Sequence, residues 1–200
     1  MPGTQDRPTR PEKTDSNSVG QASAGDQPSD AKSSDAKPGG GEVAAATGPV
    51  DLIEANWNEL QTLVGEQKGK VVVVDVWSTA CEPCMKEFPH LITLHQRLKD
   101  DVVAISFDVD YVGIKSKPVA YYRERVLKFL GSQPENKVLH RMCTMAADDL
   151  FTELDLGSIP AIYVYGRDGT LAKRFDISNS QGMGVSYENQ VVPLVNELVK

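Results

Sequence analysis

The chain has 200 residues, 40% hydrophobic and 24% charged, which suits one folded domain with a tail. Its formal charge is -7, from 28 acidic and 21 basic side chains, and no basic stripe marks a nucleic-acid binder. No apolar run approaches the roughly 20 residues that cross a bilayer, and three cysteines are too few for a disulfide scaffold.

Residues 1 to 49 read as a flexible tail or linker. They are rich in Pro, Gly, Ala and Ser and contain no aromatic residue, Leu or Ile. Such a stretch cannot offset the entropy of ordering its backbone. Residues 50 to 200 carry the core. Met1-Pro2-Gly3 opens no basic and then apolar run, so no signal peptide is expected in the chain as given. Two readings stay open: a cytoplasmic protein with a disordered N-terminus, or a processed chain that has lost an export signal or anchor.

The folded part alternates strands and helices. Trp57, Leu60, Leu63 and Val64 recur at helical spacing and predict a helix over 53–65. Lys70 to Trp77 reads Lys-Val-Val-Val-Val-Asp-Val-Trp, an apolar β-branched run of the kind that marks a strand buried on both faces. Phe88, Leu91, Ile92, His95 and Leu98 share one face of a helix over 82–99. A second buried strand follows over 102–107, then a helix over 116–130. A short third strand over 137–142 and a short helix over 146–155 come next. Ala161 to Tyr165 is apolar, Arg167-Asp168-Gly169 is a turn signal, and 170–175 should return antiparallel. A helix over 187–199 closes the chain, with Pro193 marking where its regular part starts. Strands alternating with helices and then a hairpin predict an α/β architecture: a central mixed β-sheet flanked by helices.

The chemistry starts at Cys81-Glu82-Pro83-Cys84, between the end of the first long strand and the start of a helix. A thiolate there meets unsatisfied backbone N–H groups and the positive end of the helix dipole. Its pKa is expected below the free value of about 8.5. Cys81, nearer the loop, is the expected nucleophile, and Cys84, one turn in, the resolving thiol. Pro83 stiffens the turn and suits a first-turn position. Asp75 lies among valines, where a charged carboxylate is costly. Its pKa should be raised, fitting it to exchange a proton with Cys84.

The segment from Val74 through Cys81-Glu82-Pro83-Cys84 to Glu87-Phe88-Pro89, with the later Ile159-Pro160-Ala161, resembles the thioredoxin superfamily. It is most similar to the TlpA/ResA-like branch of thiol-disulfide oxidoreductases. The resemblance implies a thioredoxin-like fold with a segment inserted before the Ile-Pro loop. It implies a cis Pro160 facing the cysteines, with Ile159 offering its backbone to an extended substrate. Glu87 matches a glutamate that tunes or relays protons near the cysteines, Asp75 matches the buried aspartate, and Trp77 packs beneath the site. Ala80 departs from the branch, which commonly has Trp there. The implied activity is reduction or exchange of protein disulfides, reset by an electron donor. An extracytoplasmic setting and service to cytochrome c maturation go with it. The chain is expected to be a monomer.

Rival readings are a peroxiredoxin-like thiol peroxidase and a metal-binding module of the same fold. Ser78-Thr79-Ala80-Cys81 lacks the Thr-x-x-Cys spacing of the first. For the second, there is no second CxxC to complete a zinc site, although His140, Met142, Cys143 and Met145 are soft copper ligands. Cys143 reads better as a buried spectator. No Gly-rich dinucleotide fingerprint is present, so no bound nucleotide cofactor is expected, and for want of ligand spacing no resident metal is expected either.

Overall fold

The computed structural model describes residues 49–134, 136–178 and 184–200. The expected tail thus lies outside the described residues, apart from Pro49. Six strands form one sheet: β1 (Leu52–Ala55), β2 (Val71–Trp77), β3 (Val102–Asp108), β4 (Leu139–Cys143), β5 (Ala161–Tyr165) and β6 (Leu171–Phe175). Their spatial order is β1-β4-β3-β2-β5-β6. The first four run parallel to one another; β5 is antiparallel to β2, and β6 to β5. The helices are α1 (Trp57–Glu66), α2 (Glu82–Arg97), α3 (Val119–Gly131), α4 (Ala147–Glu153) and α5 (Val192–Leu198), the last entered through a π-turn over Tyr187–Val191. This is the thioredoxin-like α/β fold, a mixed sheet with helices on both faces.

Every residue of β2 is buried, because strand alternation sends its side chains into two separate cores. Val71, Val73 and Trp77 meet α2, α3 and the C-terminal helix. Val72, Val74 and Val76 meet α1 and α4. The stretch between β3 and Ile159 holds α3, β4 and α4, with β4 seated between β1 and β3.

Three element boundaries differ from expectation. Residues 52–55 form a strand rather than the start of a helix, since they pair with β4 some 90 residues away. The helix starts only at Trp57, where Asn56 and Glu59 form a reciprocal capping box. The third helix begins at Val119 instead of 116, because Pro118 disfavours helical geometry at the residue before it. The last helix is not regular from 187. Pro193 has no N–H to donate, and the Val192 N–H reaches back five residues to the Tyr187 carbonyl. At the β5–β6 turn, Gly169 takes φ +82°, a conformation that side chains disfavour, and its N–H bonds the Gly166 carbonyl.

Candidate active site

The polypeptide leaves the carboxyl end of β2 at Trp77, loops through Ser78-Thr79-Ala80, and enters α2 with Cys81 as its N-cap. The Cys84 N–H donates to Cys81 Sγ at 3.2 Å, the bond an N-cap oxygen usually accepts. Cys81 and Cys84 are joined as a disulfide. Cys84 is fully buried and Cys81 half-buried, matching the expected outer and inner sulfurs. Pro83 occupies the first turn of α2, where its missing N–H removes no helical bond.

Asp75 sits two residues before Trp77 on the same face of β2, the face covered by α2 and Cys84. It is 1% exposed. Burial raises its pKa from 3.8 to about 7, with a hydrogen bond from Tyr187 opposing and the charge of Glu87 assisting. Tyr187 Oη donates to Asp75 Oδ2 at 2.8 Å. The other carboxyl oxygen, Oδ1, has no hydrogen-bond partner among the described residues. A carboxyl that is half held and half open, near its own midpoint at neutral pH, can both take and return a proton.

Glu87 lies one turn past Cys84 and is partly exposed. Its Oε2 accepts the Tyr187 backbone N–H at 2.9 Å and lies 3.3 Å from His90 Nδ1. It is therefore tied to the C-terminal segment and is not a solvated partner of a lysine. Trp77 is fully buried between Phe88 and Phe129, with ring centroids 4.8 and 4.9 Å away. The Ile159–Pro160 peptide bond is cis. Val76 pairs with Ala161, so continuing the register sets Pro160 opposite Trp77 and Ile159 opposite Ser78, where the loop to Cys81 begins. Ile159 and Cys81 border the same core.

Several residues at the site carried no assignment from the sequence. Asp110 holds the loop before Cys81: its Oδ1 accepts Ser78 Oγ at 2.6 Å and the Thr79 N–H at 2.7 Å. Its Oδ2 accepts Thr79 Oγ1 and Arg125 Nε, both at 2.5 Å. Burial alone would raise the Asp110 pKa, but these bonds outweigh it and leave the pKa lowered. Neighbouring Asp108 is pushed well up by burial and then by the Asp110 charge. The available signal was Ser106-Phe107-Asp108-Val109-Asp110, a polar residue at every second position of a buried strand. Nothing in the local sequence marks Arg125 or Tyr187.

Cys143 is fully buried, and burial pushes its thiol up to about 11. No group of three or more His, Cys, Asp or Glu is arranged to hold a metal among the described residues. Among those residues no helix is long and apolar enough to cross a membrane.

No family model matches the chain. Over 129 residues it is 20% identical to the thiol-disulfide oxidoreductase ResA of Bacillus cereus, covering 63% of this chain and 66% of that protein. The matched segment thus spans just under two thirds of the relative's length. Similar solved structures include the exposed lipoprotein thioredoxin of Streptococcus pneumoniae, 18% identical with a TM-score of 0.49, covering 68% of this chain and 90% of that one. A putative thiol:disulfide interchange protein DsbE from Chlorobium tepidum is 15% identical with a TM-score of 0.49, covering 67% and 82%.

Proposed function

We propose that this chain is a thiol-disulfide oxidoreductase of the ResA-like branch, reducing or exchanging disulfides in protein substrates. The observation that carries the reading is the Cys81–Cys84 pair at the start of α2 above a buried carboxyl with one open oxygen. In the reduced protein, Cys81 thiolate attacks one sulfur of a substrate disulfide. The substrate S–S bond breaks, a mixed disulfide forms, and the departing substrate thiolate takes up a proton. Asp75 then accepts the Cys84 proton, and the Cys84 thiolate attacks Cys81 Sγ. The mixed disulfide breaks, and the second substrate sulfur leaves and is protonated. Two electrons pass to the substrate, and the Cys81–Cys84 disulfide remains for an external dithiol donor to reduce.

Backbone N–H groups at the start of α2 stabilise a Cys81 thiolate. The Ile159 backbone, two residues before β5 begins, is offered to an extended substrate segment. Asp75 and Glu87 handle protons, and Trp77 supports the loop from beneath.

The test is a thiol-trapping titration in glutathione buffers read by mass spectrometry, together with a Cys84→Ser variant. A two-electron couple near or below about -230 mV supports a reductase. Cys84→Ser should accumulate a mixed disulfide through Cys81, because the resolving thiol is gone. Failure of Cys81 and Cys84 to form or lose their disulfide at any potential overturns the reading.

A further inference from the structure

We propose that Tyr187 is a positioning residue for the exchange reaction: it grips one oxygen of Asp75, anchors that grip on Glu87, and leaves the second oxygen open for proton exchange. The proposal rests on the oxidoreductase reading above and adds a residue to it.

Tyr187 binds both acids with different groups. Its hydroxyl donates to Asp75 Oδ2 at 2.8 Å, and its backbone N–H donates to Glu87 Oε2 at 2.9 Å. These contacts bridge 112 and 100 residues of chain, from the C-terminal π-turn to β2 and to α2. Tyr187 is fully buried. Phenylalanine would fill nearly the same volume, so the hydroxyl adds only its hydrogen bond. Without that bond, both oxygens of a carboxyl that is 1% exposed would lack a partner among the described residues. The backbone anchor also explains why Glu87 is turned to the C-terminal segment.

The other groups around Asp75 do not replace Tyr187. On α2 stand Cys84 and Glu87, with His90 beyond Glu87. On β3 the in-register neighbour is Ser106, whose hydroxyl is 2.8 Å from His140 Nδ1 on β4. On β5 the neighbour is Ile162. Two of these influences on Asp75 have opposite sign. The Tyr187 hydroxyl favours the ionised carboxyl, whereas the Glu87 charge favours the protonated one. Tyr187→Phe separates this from loosened packing, which would let water in and lower the Asp75 midpoint rather than raise it.

The experiment uses the full chain in its disulfide form, with 13C-labelled aspartate, and follows the Asp75 carboxyl by NMR against pH. Tyr187→Phe should move the midpoint up by about one pH unit, a tenfold gain in proton affinity. Glu87→Gln should move it down, since the amide oxygen can still accept the Tyr187 N–H but carries no charge. A Tyr187→Phe midpoint at or below wild type overturns the proposal. The same variants are then assayed for glutathione disulfide reduction across pH, where the rising limb of kcat/KM should follow the NMR midpoints. Turnover with an unshifted limb removes Tyr187 from the reaction. No disulfide turnover by any of the three proteins brings down the oxidoreductase reading itself, whatever the carboxyl titration shows.

Discussion

Replacing Asp75 with Asn should stabilise the folded protein above neutral pH while damaging exchange. In the fold the carboxyl titrates near 7 rather than 3.8, chiefly because burial disfavours its charge. In the unfolded chain it ionises near its ordinary value. Between these two pH values the native state holds the extra proton, so stability falls as pH rises through the window. The difference is roughly 3 pH units at about 1.4 kcal/mol each, or about 4 kcal/mol once pH passes 7. Asn removes that charge. Its amide introduces a buried donor without a partner, at about 1–3 kcal/mol, but this cost does not vary with pH.

The assay is urea unfolding of wild type and Asp75→Asn in the disulfide form, from pH 3.5 to 8.5. The difference between the two proteins, rather than either profile, carries the test. His140 contributes an opposite slope: burial first, and then the Arg141 charge, lower its pKa to about 4, with Asp51 opposing. Below pH 6.5 the unfolded state therefore holds the extra proton at that site, and stability rises with pH. Asp108, pushed well up by burial, adds a falling slope of its own, so the wild-type profile alone mixes several groups. Subtracting the variant cancels His140 and exposes Asp75. The variant should gain about 4 kcal/mol on wild type between pH 3.5 and 8. Parallel profiles would refute the argument, because they would mean that Asp75 ionises equally easily in both states.

The loop before Cys81 depends on Asp110. Asp110→Ala removes the acceptor for four hydrogen bonds, from Ser78 Oγ, Thr79 N, Thr79 Oγ1 and Arg125 Nε. The Arg125 side chain is 47% exposed, so solvent screens the ion pair, and most of the expected loss of about 2–4 kcal/mol comes from the loop bonds. Urea unfolding measures it, and a loss below about 0.5 kcal/mol would show that the loop holds itself. Cys143 should be inert: with its thiol at about 11 and no exposure, iodoacetamide at pH 7.5 should label Cys81 of the reduced native protein and spare Cys143. Peptide mapping checks this, and early labelling of Cys143 would show that its strand opens readily.

What was legible in the sequence was local. Four consecutive valines, with Val76 and Trp77 after Asp75, marked β2, and a change to helical spacing after Cys84 marked α2, so the cysteines could be placed between strand and helix. Asp75 stood out because valines surround it. β1 was hidden because four residues are too short to show alternation and their partner strand begins 84 residues later. Pro193 signalled the start of the regular helix, but not the wide turn preceding it. Tyr187 was invisible for a deeper reason: its two partners lie more than 90 residues away, and a single aromatic opening an amphipathic helix looks like ordinary core.

The sheet register explains why the titratable groups gather where they do. Asp75 on β2 is level with Ser106 on β3, and Ser106 with His140 on β4. One row on, Trp77 is level with Asp108, and Asp108 with Met142. Alternation along the strands sends both rows to the face beneath α2, so polar groups buried in the sheet lie below the helix that carries the cysteines. On the other face, β2 and β3 present only Val72, Val74, Val76, Val103, Ile105 and Phe107. That face can hold the sheet together without electrostatic cost. The α2 face accepts buried polar groups, and the hydrogen bonds from Tyr187 to Asp75 and between Ser106 and His140 offset part of their desolvation. A one-residue slip of β2 would send Asp75 into the apolar face and a valine beneath Cys84, so the same register that builds the core also keeps the buried carboxyl on the face beneath the cysteines.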